Sequence, residues 1–329
     1  MLRKPPFCPE KPGLQISALG EVSLIHQINL WLGEVSPNAP YGMGDDCAVL
    51  TPPKNSYSII TTDALTWGKH FDDSVSAEQA GSKLIKRNLS DIAAMGGKPE
   101  SAVLALLCGP DLSQEWLKAF FAGIKQTCLE YDVRLVGGDV SSIASQQFSS
   151  VLTLTGSCLQ PVLRGQTQVG DYICVTGSLG GSLREKHYAF KPRLAEGAWL
   201  AKSGFCSAMM DITDGLAKDL PSLLSDETAA ALNLDAIPLS DCAMELADAL
   251  NTDPIASAFV DGEDYELLVT IRKDCDIEQL KADWCARFPD VSLSWIGRVI
   301  ERDGDMRLFD QATKQVLPWS QGFEHLRQT

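Results

Sequence analysis

The sequence predicts a two-domain protein of the α/β (α+β) class, and three observations carry that prediction. At 329 residues the chain is longer than one core of ordinary size, so two domains are expected. Helical and strand-like hydrophobic periods alternate along its length, with no fixed-period repeat and no low-complexity tract. Between Pro161 and Gly170 the pattern turns strand-poor and carries Pro and Gly, which divides an amino-terminal domain (21–160) from a carboxy-terminal α/β domain (161–329).

The best-marked element is a helix over 77–95. Ser76 and Gln79 form a capping box, Leu84, Ile85, Leu89 and Ile92 recur at helical spacing, and Gly96-Gly97 supplies a stop. Asp91 sits in the small, buriable half of that helix with Asn88 on the same face, and a carboxylate there needs a partner. Upstream, residues 1–20 read as a loose, proline-bearing extension, and Glu21 to Leu32 as a short amphipathic helix. Tyr57 to Asp63 and Ala102 to Leu107 read as strands. A helix follows from Ser113, then a short strand Val133 to Val136 opening into Gly137-Gly138-Asp139, then a strand Val151 to Thr155. Beyond 160, strands 172–176, 266–271 and 291–299, together with one running into Asp211, alternate with helices 216–224, 241–250 and 276–288, as in an α/β layered domain.

Composition narrows the function. A net charge of -15 argues against nonspecific nucleic-acid binding, which calls for clustered Lys and Arg. No apolar run is long enough for a signal peptide or membrane helix, so no membrane partner is expected. Ten cysteines occur singly, without CxxC or His/Cys ligand spacing, which suits reduced thiols in a cytoplasmic protein. His26, His187 and His325 lack ligand spacing and are expected to do little.

One local device recurs: an apolar strand or helix ending in a small residue and an Asp. It stands at Gly44-Asp45-Asp46, Thr61-Thr62-Asp63, Leu89-Ser90-Asp91, Gly138-Asp139 and Asp211-Ile212-Thr213-Asp214-Gly215. Turn chemistry explains any one of these. Five together would repel one another unless cations sit between them, and Mg²⁺, hard and oxygen-seeking, is the fitting cation. No GxxxxGK[ST] loop exists, and Gly177-Ser178-Leu179-Gly180-Gly181-Ser182 is only a weak phosphate-loop candidate. A nucleotide would then be held through metal bridges, amides beside Gly137-Gly138, and few cations, Arg164 among them. Asp261-Gly262-Glu263-Asp264-Tyr265-Glu266 adds a carboxylate cluster that a solvated edge would also produce.

These motifs, with His70-Phe71 and Glu263-Asp264-Tyr265-Glu266-Leu267, occur in the order found in thiamine-monophosphate kinases, and from about residue 21 to the carboxy terminus the chain resembles that family of the aminoimidazole ribonucleotide synthetase superfamily. The resemblance implies ATP-dependent phosphorylation of thiamine monophosphate to thiamine diphosphate in a homodimer. It implies an amino-terminal ATP/Mg-binding domain of mixed sheet that pairs into a dimeric β-barrel, and a carboxy-terminal α/β sandwich. Carried over position by position, Asp46, Thr61, Thr62, Asp63, Asp91, Asp139, Asp211 and Asp214 match the Mg²⁺ set. Gly138, Asp139, Arg164, Thr213 and Phe121 match ATP positions, and His70, Glu263 and Phe323 match positions that hold the thiamine phosphate.

The chain departs from the family's pattern at Lys86 and Arg87, at Thr213 and Phe121, and in segment 180–205, which reads as shortened. Two other readings therefore stand beside the kinase: a non-catalytic nucleotide and thiamine-phosphate binding relative, and a superfamily enzyme with a different phosphorylated acceptor. The kinase reading needs no protein base, because a phosphate oxygen with a second pKa of about 6 is already ionised near neutrality.

Overall fold

A computed structural model supplies the structure and describes residues 5–9, 11, 14–19, 21–37, 54–182 and 184–319. Asp46 and Phe323 lie outside the described residues. The chain forms two compact units, Met1–Ile92 with Lys98–Leu159 and Ala93–Gly97 with Gln160–Thr329.

In the first unit the elements run α1 (Glu21–Leu32), β1 (Tyr57–Thr66), α2 (Ala77–Ala94), β2 (Lys98–Cys108), α3 (Gln114–Glu130), β3 (Arg134–Ser142) and β4 (Phe148–Cys158). The sheet is ordered β1-β4-β2-β3, antiparallel except for the parallel β2–β3 pair. It is an open four-stranded sheet, and no closed barrel occurs among the described residues. Strand alternation is clean on β4: Phe148, Ser150, Leu152 and Leu154 are buried, while Val151, Thr153 and Thr155 on the other face are half-exposed. Ile60 (71% exposed) and Val103 (41%) share that second face, so one side of the sheet presents uncovered apolar area. Under the buried face an aromatic cluster of Phe71, Trp116, Phe120 and Phe148 has ring centroids 4.9 to 6.1 Å apart.

The capping box expected at the start of α2 is present: Ser76 N–H donates to Gln79 Oε1 (2.9 Å), and Gln79 N–H to Ser76 Oγ (3.2 Å). The helix ends at Gly96, whose φ is +68°. The first three strands run longer than their hydrophobic cores predict. Asp63 therefore lies within β1, and Gly137-Gly138-Asp139 lies within β3 rather than in a loop after it. Backbone pairing decides this, because a Cβ on Gly138 would sit 2.0 Å from the Leu104 carbonyl oxygen of β2. The described residues of the extension before Glu21 are docked, not loose. Ser113 N–H donates to Pro6 O (2.8 Å), Gln114 N–H to Leu14 O (2.9 Å), and Phe7 meets Trp67 edge-on at 5.3 Å.

The second unit contains β5 (Tyr172–Thr176), α4 (Lys186–Ala189), α5 (Leu194–Ser203), β6 (Cys206–Asp211), α6 (Leu216–Leu223), β7 (Thr228–Leu232), α7 (Asp241–Leu250), α8 (Pro254–Val260), β8 (Leu267–Ile271), α9 (Ile277–Arg287), β9 (Leu293–Glu301) and β10 (Leu308–Asp310). Its six-stranded sheet is ordered β10-β7-β9-β5-β8-β6, antiparallel but for the β10–β7 pair. Alternate residues of β5 feed opposite cores: Ile173 and Val175 join Leu216, Leu220 and Phe259, while Cys174 joins Leu200, Leu280 and Trp284. The sheet is covered by helices on both faces, and β7 and β8 are buried throughout. Sequence periodicity misses β7, an alanine-rich run, and also α8 and β10, because short apolar segments carry no distinguishing period. The described cysteines are free thiols, and burial pushes Cys108 up to about 11 and Cys128 to about 12.

Helices α2 and α3 approach through glycines: a Cβ on Gly81 would lie 2.0 Å from Phe120 O, and one on Gly123 1.9 Å from Glu78 O. Gly81→Ala should therefore destabilise the protein by about 3 kcal/mol, the upper end of overpacking costs, because a backbone carbonyl cannot step aside as a side chain does. Urea unfolding of the variant against the parent protein measures this.

Candidate functional site

In the first unit, β1 and α2 bring three oxygen-bearing side chains together. Thr61 and Asp63 alternate onto the buried side of β1, and Thr61 Oγ1 donates to Asp91 Oδ2 on α2 in a short hydrogen bond. Arg87, one turn before Asp91 on the same helix, donates to Asp63 Oδ1 (3.3 Å) and to Ala64 O (2.9 Å). The departure from the family pattern at Arg87 thus has a local task, the compensation of Asp63. Asn88 is fully buried; its amide donates to Leu84 O (3.0 Å) while its carbonyl oxygen meets no hydrogen-bond donor among the described residues.

Thr62 points to the opposite face, where Thr153 donates to its hydroxyl (3.1 Å) and it donates in turn to Leu152 O (3.0 Å). Asp139 also lies on that face, level with Ala105 and Val151, and accepts from Ser141 (2.8 Å). Since β1 and β3 are opposite edges of the sheet, about 14 Å of strand spacing separates Asp139 from Asp63. The structure therefore does not bring Asp139 to the Thr61, Asp63 and Asp91 group. Phe121 is not available as a ring face either: it is 1% exposed, packed against Trp31 and Phe120.

His70 closes a tight turn after β1. Thr66 N–H donates to its Nδ1 (3.0 Å), which places the ring proton on Nε2, while buried Lys83 donates to its carbonyl (2.7 Å).

In the second unit two loops are stitched together. Glu263 N–H donates to Thr213 O (2.7 Å), Tyr265 N–H to Ile212 O (2.8 Å), and Ile212 N–H to Glu266 O (2.8 Å). Asp211, Thr213, Asp214 and Glu263 are thereby neighbours. Asp219, three residues into α6, accepts the N–H groups of Thr213 and Asp214 (both 2.9 Å) and fixes that turn. Burial first, and then the charges of Asp214 and Asp211, push its carboxyl up to about 7. Lys218 pairs with Asp214 at 2.6 Å. Arg164 is exposed at a turn.

The glycine-rich loop after β5 does not cradle phosphate. Its amides are already engaged, Gly180 N–H by Asp264 (2.9 Å), Gly181 N–H by Asp261 (3.0 Å), and those of Gly177 and Leu179 by backbone carbonyls. Behind it lies a buried charged network. Arg193 grips Glu266 with two bonds (2.7 and 2.8 Å), Thr176 donates to the same carboxylate (2.8 Å), and Lys186 stands 3.3 Å from Glu266 and 3.4 Å from Asp264. Sequence reasoning missed Asp219, Arg193, Lys186 and His187. Only Asp219 left a signal, a carboxylate early in a helix and able to reach back to the preceding amides, as in a capping box.

No group of three or more His, Cys, Asp or Glu among the described residues has metal-holding geometry. The donors present are nonetheless carboxylate and hydroxyl oxygens with no soft ligand among them, which fits a hard cation such as Mg²⁺. No described helix is long and apolar enough to cross a membrane.

Residues 44–159 match the family described as AIR synthase related protein, N-terminal domain. Over 308 residues the chain is 33% identical to the thiamine-monophosphate kinase of Buchnera aphidicola subsp. Acyrthosiphon pisum, covering 86% of this chain and 92% of that protein. The chain belongs to the thiamine-monophosphate kinase family. Among solved structures, the thiamine-monophosphate kinase of Stenotrophomonas maltophilia superposes with a TM-score of 0.72 at 30% identity, covering 90% of this chain and 98% of that one. AaThiL complexed with AMPPCP and TMP superposes with a TM-score of 0.68 at 29% identity, covering 92% and 96%. The thiamine-monophosphate kinase likeness thus spans both units.

Asp264 is wholly buried, and desolvation pushes its carboxyl from an ordinary 3.8 up to about 7 despite Lys186 and the Gly180 amide. A raised folded-state pKa means that its protonated form stabilises the fold. That contribution is fully present below about pH 3.8 and is lost as pH rises through about 7. Asp264→Asn keeps an acceptor for Gly180, so unfolding measured across this window should show a shallower loss of stability with rising pH than in the parent protein.

Proposed function

We propose that this chain transfers the γ-phosphoryl group of ATP to thiamine monophosphate, forming thiamine diphosphate, with Mg²⁺. The carrying observation is the oxygen set on β1 and α2, together with the stitched Asp211–Asp214 and Glu263 loops, in a chain that belongs to the thiamine-monophosphate kinase family. AMPPCP is an ATP analogue, so the AaThiL complex supports the same pair of substrates here.

Thr61, Asp63 and Asp91 in the first unit, and Asp211 and Asp214 in the second, would hold Mg²⁺, with Asp46 as a further ligand, while Thr62 and Asp139, on the other face of the sheet, would serve separate ions. Mg²⁺, when bound, would neutralise and orient phosphate groups that otherwise repel one another. Gly138, Asp139, Arg164 and Thr213 would contact the nucleotide. With its proton on Nε2, His70 presents a donor suited to the acceptor phosphate, while Glu263 supplies negative charge for the cationic thiazolium and Phe323 a ring to stack on it. The nucleophile is a phosphate oxygen already ionised near neutrality, so the protein orients the reactants and supplies no base.

The amino-terminal domain, 21–160, would be the ATP- and Mg²⁺-binding domain, and 161–329, the α/β sandwich, would contribute contacts of its own through Arg164, Asp211, Thr213 and Asp214. The uncovered face bearing Ile60 and Val103 supports a homodimer built through that sheet into a shared barrel. The described cysteines, all free thiols, agree with a cytoplasmic location.

Purified protein incubated with ATP, MgCl₂ and thiamine monophosphate should yield thiamine diphosphate by chromatography, and EDTA should abolish the product. Asp63→Asn and Asp91→Asn should each lower kcat by about 100-fold. Folded protein that makes no diphosphate overturns the proposal.

A further inference from the structure

Glu263 has a proposed task toward a cationic acceptor, but a free carboxylate on a loop would rotate. We propose that His187 and Tyr265 are positioning residues for Glu263, and that segment 186–193 thereby sets how tightly the phosphorylated acceptor is held. This rests on the acceptor role given to Glu263 above.

The two oxygens of Glu263 meet different side chains. Tyr265 donates its hydroxyl to Oε1 (3.1 Å), and His187 Nδ1 stands 3.6 Å from Oε2. The hydroxyl is a neutral donor, so it restrains the carboxylate without cancelling its charge.

Backbone strain marks the same spot. Glu263 and Tyr265 both take the left-handed conformation, with φ of +53° and +52°, which residues bearing a Cβ adopt only when their surroundings over-determine it. Those surroundings are visible. The Tyr265 ring stacks on Phe190 with centroids 3.9 Å apart and planes 15° from parallel. Asp264, between the two strained residues, is held by Gly180 and Lys186, and Glu266 by Arg193 and Thr176.

Lys186, His187, Phe190 and Arg193 thus all come from one eight-residue stretch, and each engages one of the four consecutive residues Glu263 to Glu266. The stretch lies inside the segment that reads as shortened. A tyrosine buried only for packing could direct its hydroxyl to any acceptor, yet Tyr265, 2% exposed, directs it to the one partly exposed carboxylate of the four-residue run.

Steady-state kinetics with ATP, Mg²⁺ and thiamine monophosphate test this on Glu263→Gln, Tyr265→Phe, His187→Ala and His187→Asn. Tyr265→Phe, which loses one hydrogen bond, and His187→Ala, which loses the 3.6 Å polar contact, should each raise KM for thiamine monophosphate by about three- to tenfold, with KM for ATP and kcat held within about twofold. His187→Asn, whose amide nitrogen falls near the place of Nδ1, should recover most of that loss. Tyr265→Phe removes a single oxygen and keeps the Phe190 stack, so it carries the test if His187→Ala does not fold. An unchanged acceptor KM in folded Tyr265→Phe and His187→Ala, beside a raised one in Glu263→Gln, overturns the inference and leaves the role of Glu263 standing. A uniform fall in kcat with no KM split overturns it too. An unchanged acceptor KM in Glu263→Gln removes the acceptor role itself, and the inference with it.

Discussion

A carboxylate taken out of water must be met by a cation, by N–H donors or by a proton, and this constraint shapes both units of a chain that carries 43 acidic and 28 basic side chains. Glu266 has Arg193 and Thr176, Asp219 has two backbone amides, Asp63 has Arg87, and Asp264 holds its proton toward neutral pH. Each answer also does geometric service. The Asp219 amide bonds hold the turn carrying Thr213 and Asp214, and the Arg193 grip holds the strand that begins at Leu267.

The same accounting separates carboxylates answered by backbone amides from those answered by side chains. Asp264 and Asp261 each spend one oxygen on an amide of the glycine-rich loop and so take the Gly180 and Gly181 N–H groups away from any phosphate. Asp63, Asp91 and Asp214 instead lie at partly exposed positions, beside Arg87, Thr61 and Lys218.

Much of the architecture was legible where one period dominated. The capping box at Ser76 and Gln79, the apolar face of α2 and the stop at Gly96 were readable because local hydrogen bonds and burial point the same way there. Strand ends were not. Asp63 read as the end of its strand and Gly137 to Asp139 as the opening after theirs, yet β1 and β3 run on through them because neighbouring strands and Arg87 satisfy them. The docked extension around Phe7 and Pro6 was likewise invisible, since its partners Trp67 and Ser113 are distant in sequence. His187, set aside for want of ligand spacing, stands beside Glu263 for the same reason.

By itself the sequence determined the fold class, the order of the acidic motifs and, through those motifs, the family. These are properties of composition, period and spacing, which the chain carries before it folds. Only the tertiary structure decided which oxygens stand together. It joined Thr61, Asp63 and Asp91, tied Thr213 to Glu263, sent Asp139 to the far edge and opposite face of the sheet, and buried Phe121. The reason is physical: strand order and side-chain face are set by pairing between segments far apart along the chain, and one residue of register moves a side chain to the other side.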